Sequence, residues 1–302
     1  MAETRSQARA CRSMSRHSTI ESASAEVPDP DASGPLTPEE REEVEQHAHL
    51  RPLAIYEVVR REGAEELARA GLSLWWSGVA AGLSIGLSIA SEGALHSLLP
   101  DVPWRPLVES TGYTVGFLIV ILARQQLFTE VTLTAVLPVL AKPTRGGFRA
   151  LMRNWGVVLA ANMLGTALFA GMLAIPDLLP PFVTEGALAV SRHMAELTPG
   201  QAFGRAILSG WMMALLVWLL PLAEAARIWV IALVAYLIAL FELPHVVSGA
   251  VEVFLLLYRG EVAAGPALFG FLLPFLVGNV IGGSALFALL AYGQVREEME
   301  AR

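Results

Sequence analysis

Apolar residues in this chain gather in long blocks rather than alternating or marking one face of a helix. Ile228–Leu240 holds no charged residue, and Leu118–Leu122 lies in a second such block. A hydrocarbon core roughly 30 Å thick calls for about 20 apolar residues in one helix. The pattern predicts six spans, near 72–90, 110–141, 154–175, 204–222, 228–257 and 267–292. The second and fifth are too long for one straight crossing, and each is polar at its centre. The second contains Arg124, Gln125, Gln126, Thr129 and Glu130, and the fifth contains Glu242, Pro244, His245, Ser248 and Glu252. Irregular backbone at membrane depth survives only where protein or a water-filled cavity satisfies its N–H and C=O groups. Two interrupted spans therefore predict a solute pathway, and Pro244, which lacks an N–H, helps break the fifth.

Ahead of the first span the pattern changes. Residues 1–36 are rich in Ser, Ala, Pro and charge, the composition of a disordered extension. Thr37, Pro38 and Glu40 then write a helix start. From 37 to 70, Leu53, Tyr56, Val59, Gly63 and Leu67 recur at helical spacing among charges. That segment reads either as an amphipathic cytoplasmic helix at the membrane or pore mouth, or as a solvated linker helix. Arg5, Arg9, Arg12 and Arg16 faintly suggest a transit peptide, but no apolar stretch of a secretory signal follows them. Residues 71–293 form the expected channel domain and 294–302 a cytoplasmic tail.

Composition sharpens the membrane reading. The chain of 302 residues is 54% hydrophobic and 16% charged, below the quarter or so charged in a soluble globule, and its mean hydropathy is +0.53. One cysteine, Cys11, excludes an intrachain disulfide framework and a Cys-based metal site. The net charge of −7 speaks against nucleic acid as a partner. His96 and His193 have no second ligand at metal spacing, so no metal or other cofactor is expected. Most tryptophans fall near span ends, as an interfacial belt requires.

Basic residues beside the spans set orientation. With the amino terminus in the cytoplasm, eleven Lys and Arg residues, from Arg51 to Arg302, flank the inner side and four, Arg105, Arg192, Arg205 and Arg259, the outer. Both termini are expected inside. The halves also echo each other, Asn162-Met-Leu-Gly165 in span three matching Asn279-Val-Ile-Gly282 in span six. The fold expected is all-α integral membrane, six transmembrane helices in a 3+3 inverted repeat with its site between the two broken spans.

These residues resemble the formate–nitrite transporter family. The resemblance rests on Gly116 to Glu130 with Leu127, Phe128 and Thr129, on Asn154 and Trp155, on Asn162 and Gly165, on the His245 break, and on Gly278, Asn279, Gly282 and Gly283. It covers roughly residues 55–292, and the string from Arg124 to Glu130 looks most like the YfdC-like branch. It implies an aquaporin-like fold in the cell's inner membrane, assembled as a homopentamer with one pore per protomer. It further implies Leu127, Phe128 and Thr129 on the loop of span two and His245 at the centre of the span-five loop. Tyr113, Phe117 and Ile238 would form the outer constriction, and Leu127 with Phe128 the inner one. The implied partners are a small monovalent anion such as formate or nitrite, protons and the lipid bilayer. Where the family carries an acid before the histidine stands Pro244, its asparagine four residues later is Gly249, and Gly210 replaces a polar residue of span four.

A bare anion is costly in a narrow apolar pore. Half-helix amino termini at the breaks can lower that cost, and a histidine can hand the anion a proton. Thus His245 with Thr129 would bind and protonate the anion; the rival reading has His245 satisfying a carbonyl freed at Pro244. Arg124, Glu130, Glu242 and Glu252 form an expected buried charge network, with Arg124 pairing with Glu252 or Glu130, or else attracting anions itself. Three functions follow: a weak-acid anion channel or transporter, a pore for a small neutral solute, and a non-transporting scaffold or sensor. An enzyme is not expected, because no paired carboxylates or nucleophile–base pair stands out.

Overall fold

The computed structural model describes residues 51–300, with side chains to Glu298. The expected amino-terminal extension and the helix start at Thr37 lie outside the described residues. Within them the chain is helical: α1 Pro52–Ala68, α2 Gly71–Leu98, α3 Arg105–Leu122, α4 Phe128–Thr134, α5 Val136–Ala141 and α6 Arg145–Ala174. Then come α7 Pro181–Met194, α8 Pro199–Leu219 with a 3₁₀ turn Leu220–Leu222, α9 Arg227–Leu240 and α10 Val246–Tyr258. A last run joins a π-helical stretch Pro266–Leu272, α11 Leu273–Val280, a second π stretch Ile281–Ala288 and α12 Leu289–Glu300.

Five of these runs, Gly71–Leu98, Arg105–Leu122, Arg145–Ala174, Pro199–Leu222 and Pro266–Glu298, are long and apolar enough to cross a membrane. Large apolar side chains such as Leu72, Trp76, Leu168, Trp229, Leu233 and Phe269 stay exposed on the protomer, as lipid-facing residues do. The expected second span is two pieces, α3 and then α4 with α5. The expected fifth span is likewise α9 and α10. Pro138 adds a bend between α4 and α5: lacking an N–H, it cannot serve the carbonyl of Thr134. Gly63 of α1 packs directly on that carbonyl, where an added Cβ would sit 1.8 Å from the oxygen.

Two features went unseen in the sequence. α7 was not expected; its Gly186 meets the backbone of Gly93 near the end of α2. The helix expected to end before residue 294 continues to Glu300. α1 buries Ile55, Tyr56, Val59 and Gly63 and packs on α4, α5, α6, α8 and α12.

Glycines bring the helices to backbone contact. A Cβ at Gly165 of α6 would meet the Val79 carbonyl of α2 at 2.3 Å, and one at Gly282 would meet the Ile207 carbonyl of α8 at 2.0 Å. Close approach of this kind replaces the hydrophobic drive that lipid denies to helix association. Gly165→Ala and Gly282→Ala should each lower stability in detergent by about 1–3 kcal/mol through overpacking, whereas Gly200→Ala, with nothing within 4 Å, should not. Thermal melts followed by gel filtration will separate the two classes.

Candidate functional site: two broken helices meeting at His245 and Thr129

Each break is built the same way. α3 closes with the Gln125 N–H on the Val120 carbonyl at 3.0 Å and the Arg124 N–H on that of Ile121 at 3.2 Å. α9 closes with Leu243 on Ile238 at 2.9 Å and Glu242 on Ala239 at 2.8 Å. This is the Schellman pattern, which puts one residue in the left-handed region. Here those residues are Arg124 and Glu242, with φ of 53° and 50°, where a side chain costs roughly 1–2 kcal/mol relative to glycine.

The following half-helices start on matched asparagines. The Phe128 N–H, first of α4, donates to Asn162 Oδ1 at 2.8 Å, while Asn162 Nδ2 donates to the carbonyls of Gly78 and Gln126 at 2.8 and 2.9 Å. The Val246 N–H, first of α10, donates to Asn279 Oδ1 at 2.8 Å, and Asn279 Nδ2 serves the carbonyls of Ala206 and Pro244 at 2.8 and 3.2 Å. The sequence echo around Asn162 and Asn279 is thus one set of contacts made twice. Buried amides left unpaired here would each cost about 1–3 kcal/mol.

His245 is the amino-terminal cap of α10, and its Nδ1 accepts the Ser248 N–H at 3.3 Å. That acceptor role leaves the proton on Nε2, which donates to Thr129 Oγ1 at 2.6 Å. Thr129 therefore keeps its own hydroxyl proton for another acceptor, and both residues are fully buried. Ser209 Oγ and Asn279 Nδ2 hold the Pro244 carbonyl at 2.5 and 3.2 Å, so the histidine is not needed there.

Aromatic side chains close around the pair. Phe117 meets the His245 ring edge-on at 5.1 Å, Tyr113 lies 5.1 Å from Phe117, and Tyr113 Oη is 2.5 Å from Ser248 Oγ. Phe128 packs on Trp155 at 5.9 Å. Leu127, Phe128, Phe117 and Ile238 are no more than 1% exposed and Tyr113 6%. All five belong to the buried apolar cluster, and of them Phe117 reaches the His245 ring.

The expected buried charge network is not formed. Arg124 points outward, 75% exposed, with Glu62 of α1 at 3.4 Å. Its left-handed turn carries the side chain off the end of α3 rather than into the core. Glu242, at the equivalent turn, is 54% exposed and pairs with Arg205 at 2.7 Å and His193 at 3.2 Å. Glu130 is half-buried, with Arg227 the cation within electrostatic reach, and Glu252 is buried without an ion pair. His96 is likewise no free solvated residue, since its Nδ1 is 3.0 Å from Glu109. Trp155 departs from the interfacial belt: its Nε1 donates to the Val131 carbonyl of α4 at 3.2 Å.

A family model described as formate/nitrite transporter matches residues 53–293. The chain belongs to the formate/nitrite transporter family. Inner membrane protein YfdC of Escherichia coli (strain K12) is 43% identical to this transporter over 249 residues, 82% of this chain and 80% of that protein. A probable formate transporter of Methanothermobacter thermautotrophicus is 27% identical over 202 residues, 61% of this chain and 73% of that one. Among solved structures, a pentameric formate channel with formate bound aligns with a TM-score of 0.64 at 19% identity, covering 75% of this chain and 98% of its own. An FNT family ion channel aligns at 0.69 and 22%, covering 80% and 98%. At those identities the likeness establishes the fold. The transporter is thus an all-helical membrane protein of channel and transporter architecture.

On the α1 side of the breaks, a cavity of about 240 Å³ is lined by Glu62, Glu65, Glu66, Arg124, Glu130 and Arg227, among others. Glu66, near the end of α1, accepts the Thr134 hydroxyl at 2.5 Å, yet burial, the largest influence, pushes its carboxyl above the ordinary carboxylate range.

Two outcomes follow. Asn162→Leu and Asn279→Leu should each cost about 3 kcal/mol, the larger loss at Asn162, because each removes hydrogen bonds to three backbone groups and Ser209 still serves the Pro244 carbonyl in the second; tryptophan-fluorescence melts in detergent will read the loss. A carboxyl whose folded pKa is raised stabilises the fold below its unfolded pKa, and that contribution is lost as pH rises through the folded one. Amide protection factors in α1, in which the intrinsic base-catalysed rise of exchange is divided out, should therefore fall from pH 5 to pH 8, and Glu66→Gln should flatten that fall.

Proposed function

We propose that this chain moves small monovalent weak-acid anions such as formate or nitrite across a bilayer, with His245 and Thr129 as the central pair. The observation that carries the reading is the 2.6 Å contact between His245 Nε2 and Thr129 Oγ1 where the two half-helices start. An anion arriving there meets the free Thr129 hydroxyl proton and the amino-terminal dipole of α10. His245 can then exchange a proton with it, so that the neutral acid crosses the apolar layer of Tyr113, Phe117, Leu127, Phe128 and Ile238. Family membership supports a transported anion, as do the structural relatives titled as formate and ion channels. A homopentamer with one pathway per protomer is part of the reading, supported by the pentameric relative. An inner-membrane location fits the relative of that description, and the excess of basic residues supports cytoplasmic termini.

A second reading, a pore for a small neutral solute, is favoured by the carboxyls along the path: at one mouth Glu62, Glu65, Glu66 and Glu130 outnumber Arg69, Arg124 and Arg227, and Glu252 is buried without an ion pair. Such groups repel a free anion unless protonated or paired.

Proteoliposome uptake of formate, nitrite and glycerol at pH 5.5 and 7.5 distinguishes these readings. Anion uptake should be faster at the lower pH and glycerol uptake negligible. His245→Ala should cut formate flux at least tenfold and remove its pH dependence, and Thr129→Val should cut flux with a smaller change in pH dependence. Undiminished, equally pH-sensitive flux in His245→Ala sinks the proton-exchange role. Glycerol flux without anion flux selects the neutral pore.

A further inference from the structure

α10 leaves the His245 break with Ser248 in its first turn and Glu252 one turn later, on the same helical face. Ser248 Oγ lies 2.5 Å from Tyr113 Oη and 3.4 Å from His245 Nδ1. A polar chain Tyr113–Ser248–His245–Thr129 therefore crosses the centre of the protein, and Glu252 stands just past its end. That glutamate is 8% exposed, yet among the described residues it makes no hydrogen bond and no ion pair. Its Oε2 folds back toward Gly249, 3.8 Å from where a Cβ there would begin, with the Phe275 ring 3.0 Å from the same point. The Phe275 ring and the Glu252 carboxyl thus pack against the bare backbone of Gly249, which places the carboxyl at the start of α10 beside the His245 break.

A second carboxyl stands near it. Glu92 of α2, the helix packed on α10 here, is within electrostatic reach of both Glu252 and Tyr113. Gly112 of α3 packs on the Glu92 backbone, an added Cβ meeting its nitrogen at 2.6 Å, which ties the α2–α3 pair together at this level. Glu109 of α3 approaches Glu92 in turn but is occupied by His96 at 3.0 Å and Arg105 at 3.4 Å. From α4, α6, α7, α11 and the π-helical stretch Pro266–Leu272, the other elements on α10, no charged group of the described residues reaches Glu252. Two carboxyls within electrostatic reach of each other in an apolar surrounding, with no cation paired to either, repel when both are charged. A buried carboxyl kept with no partner is also a poor structural choice.

We propose that Glu252, with Glu92 beside it, is a proton-exchange carboxyl on the outer half of the pathway, loading a proton onto a weak-acid anion before it reaches His245 and Thr129. This rests on the reading of the chain as a weak-acid anion transporter in which His245 exchanges a proton with its cargo; on entry from the outer side Glu252 supplies the proton first and His245 receives the neutral acid, which it can deprotonate or pass on. In the step, the O–H bond of the Glu252 carboxylic acid breaks and the proton bonds to an oxygen of the anion. The products are the Glu252 carboxylate and a neutral acid, and water on the same side returns a proton to Glu252 through Glu92. One proton enters with each anion. While charged, Glu252 repels the next anion, so loading and passage must alternate.

The test uses the full chain in proteoliposomes with a pH-reporting dye inside and formate outside. In the wild type an inward proton gradient should stimulate formate entry, with internal acidification. Glu252→Gln, nearly isosteric and checked for an unchanged elution volume, should lose that stimulation and fall at least tenfold in gradient-driven uptake. Glu252→Asp should retain part of both. Glu252→Gln that keeps the stimulation overturns the proposal, and so does one that passes formate faster, which would make Glu252 a simple barrier. Infrared difference spectra give a readout independent of flux: a protonated-carboxyl C=O band that titrates with pH and vanishes in Glu252→Gln is expected. Absence of that band in the wild type overturns the proposal whatever the flux. If the band is present but the wild type moves neither formate nor nitrite, the transport reading itself fails and proton loading onto an anion falls with it.

Discussion

A helix interrupted inside a bilayer exposes amides and carbonyls that water cannot reach, and here two asparagines meet that demand. Asn162 and Asn279 each take the first N–H of a restarting half-helix and give their own N–H groups to one carbonyl of the break, Gln126 or Pro244, and to one of a neighbouring helix, Gly78 or Ala206. Everything at the centre follows from this closure. With the backbone satisfied, α4 and α10 can begin deep in the protein, and their first residues bring Thr129 and His245 to 2.6 Å. The asparagines reach the breaks because glycines remove the bulk between helices. Gly82 sits against the Asn162 carbonyl and Gly210 against that of Asn279, where added Cβ atoms would come within 2.4 and 2.3 Å. Gly210, a polar position in the family, is thus a packing requirement in this chain.

The centre is apolar except along one thread of hydrogen bonds. The imidazole donates to Thr129 and accepts from the backbone of α10, so its orientation and proton position are set by the fold. Ser209 and Asn279 hold the carbonyl before it, so the ring is not engaged there. Around this thread the charges are arranged unlike a simple anion funnel. The left-handed residues Arg124 and Glu242 carry opposite charge and are tied off on the surface by Glu62 and by Arg205 with His193. Acidic groups line the α1 mouth, and Glu252 with Glu92 lies beyond the histidine. The proposed charge-neutral passage, with protons exchanged at fixed groups, would reconcile that lining with a weak-acid cargo, since desolvating a bare anion here is costly.

How far the sequence could be read depended on the range of the interaction. The long apolar runs, the two breaks and the echo between Asn162 and Asn279 were legible, because hydropathy and a polar centre are local properties and membrane depth limits what they can mean. Thr129 and His245 stood among the polar residues at the breaks, and the family resemblance singled them out; their 2.6 Å contact is what the structure adds. Arg124 was misread: burial was inferred from its place in an apolar block, but a left-handed turn at φ 53° sends the side chain to the surface. α7 went unnoticed because its apolar residues are few and its contact with α2 depends on Gly186 meeting Gly93. Glu92 drew no attention because it lies at the end of an ordinary apolar span, and nothing nearby in the chain marks Glu252 as its neighbour.

By itself, then, the sequence determined a membrane protein with two interrupted helices and polar residues at both interruptions. Only the tertiary structure decided that Thr129 and His245, 116 positions apart, share one hydrogen bond. It also decided that Arg124 leaves the core while Glu252 stays in it without a partner. The reason is geometric: composition and periodicity fix depth in the bilayer and the face of a helix, whereas the meeting of side chains from different helices depends on backbone turns and glycine contacts.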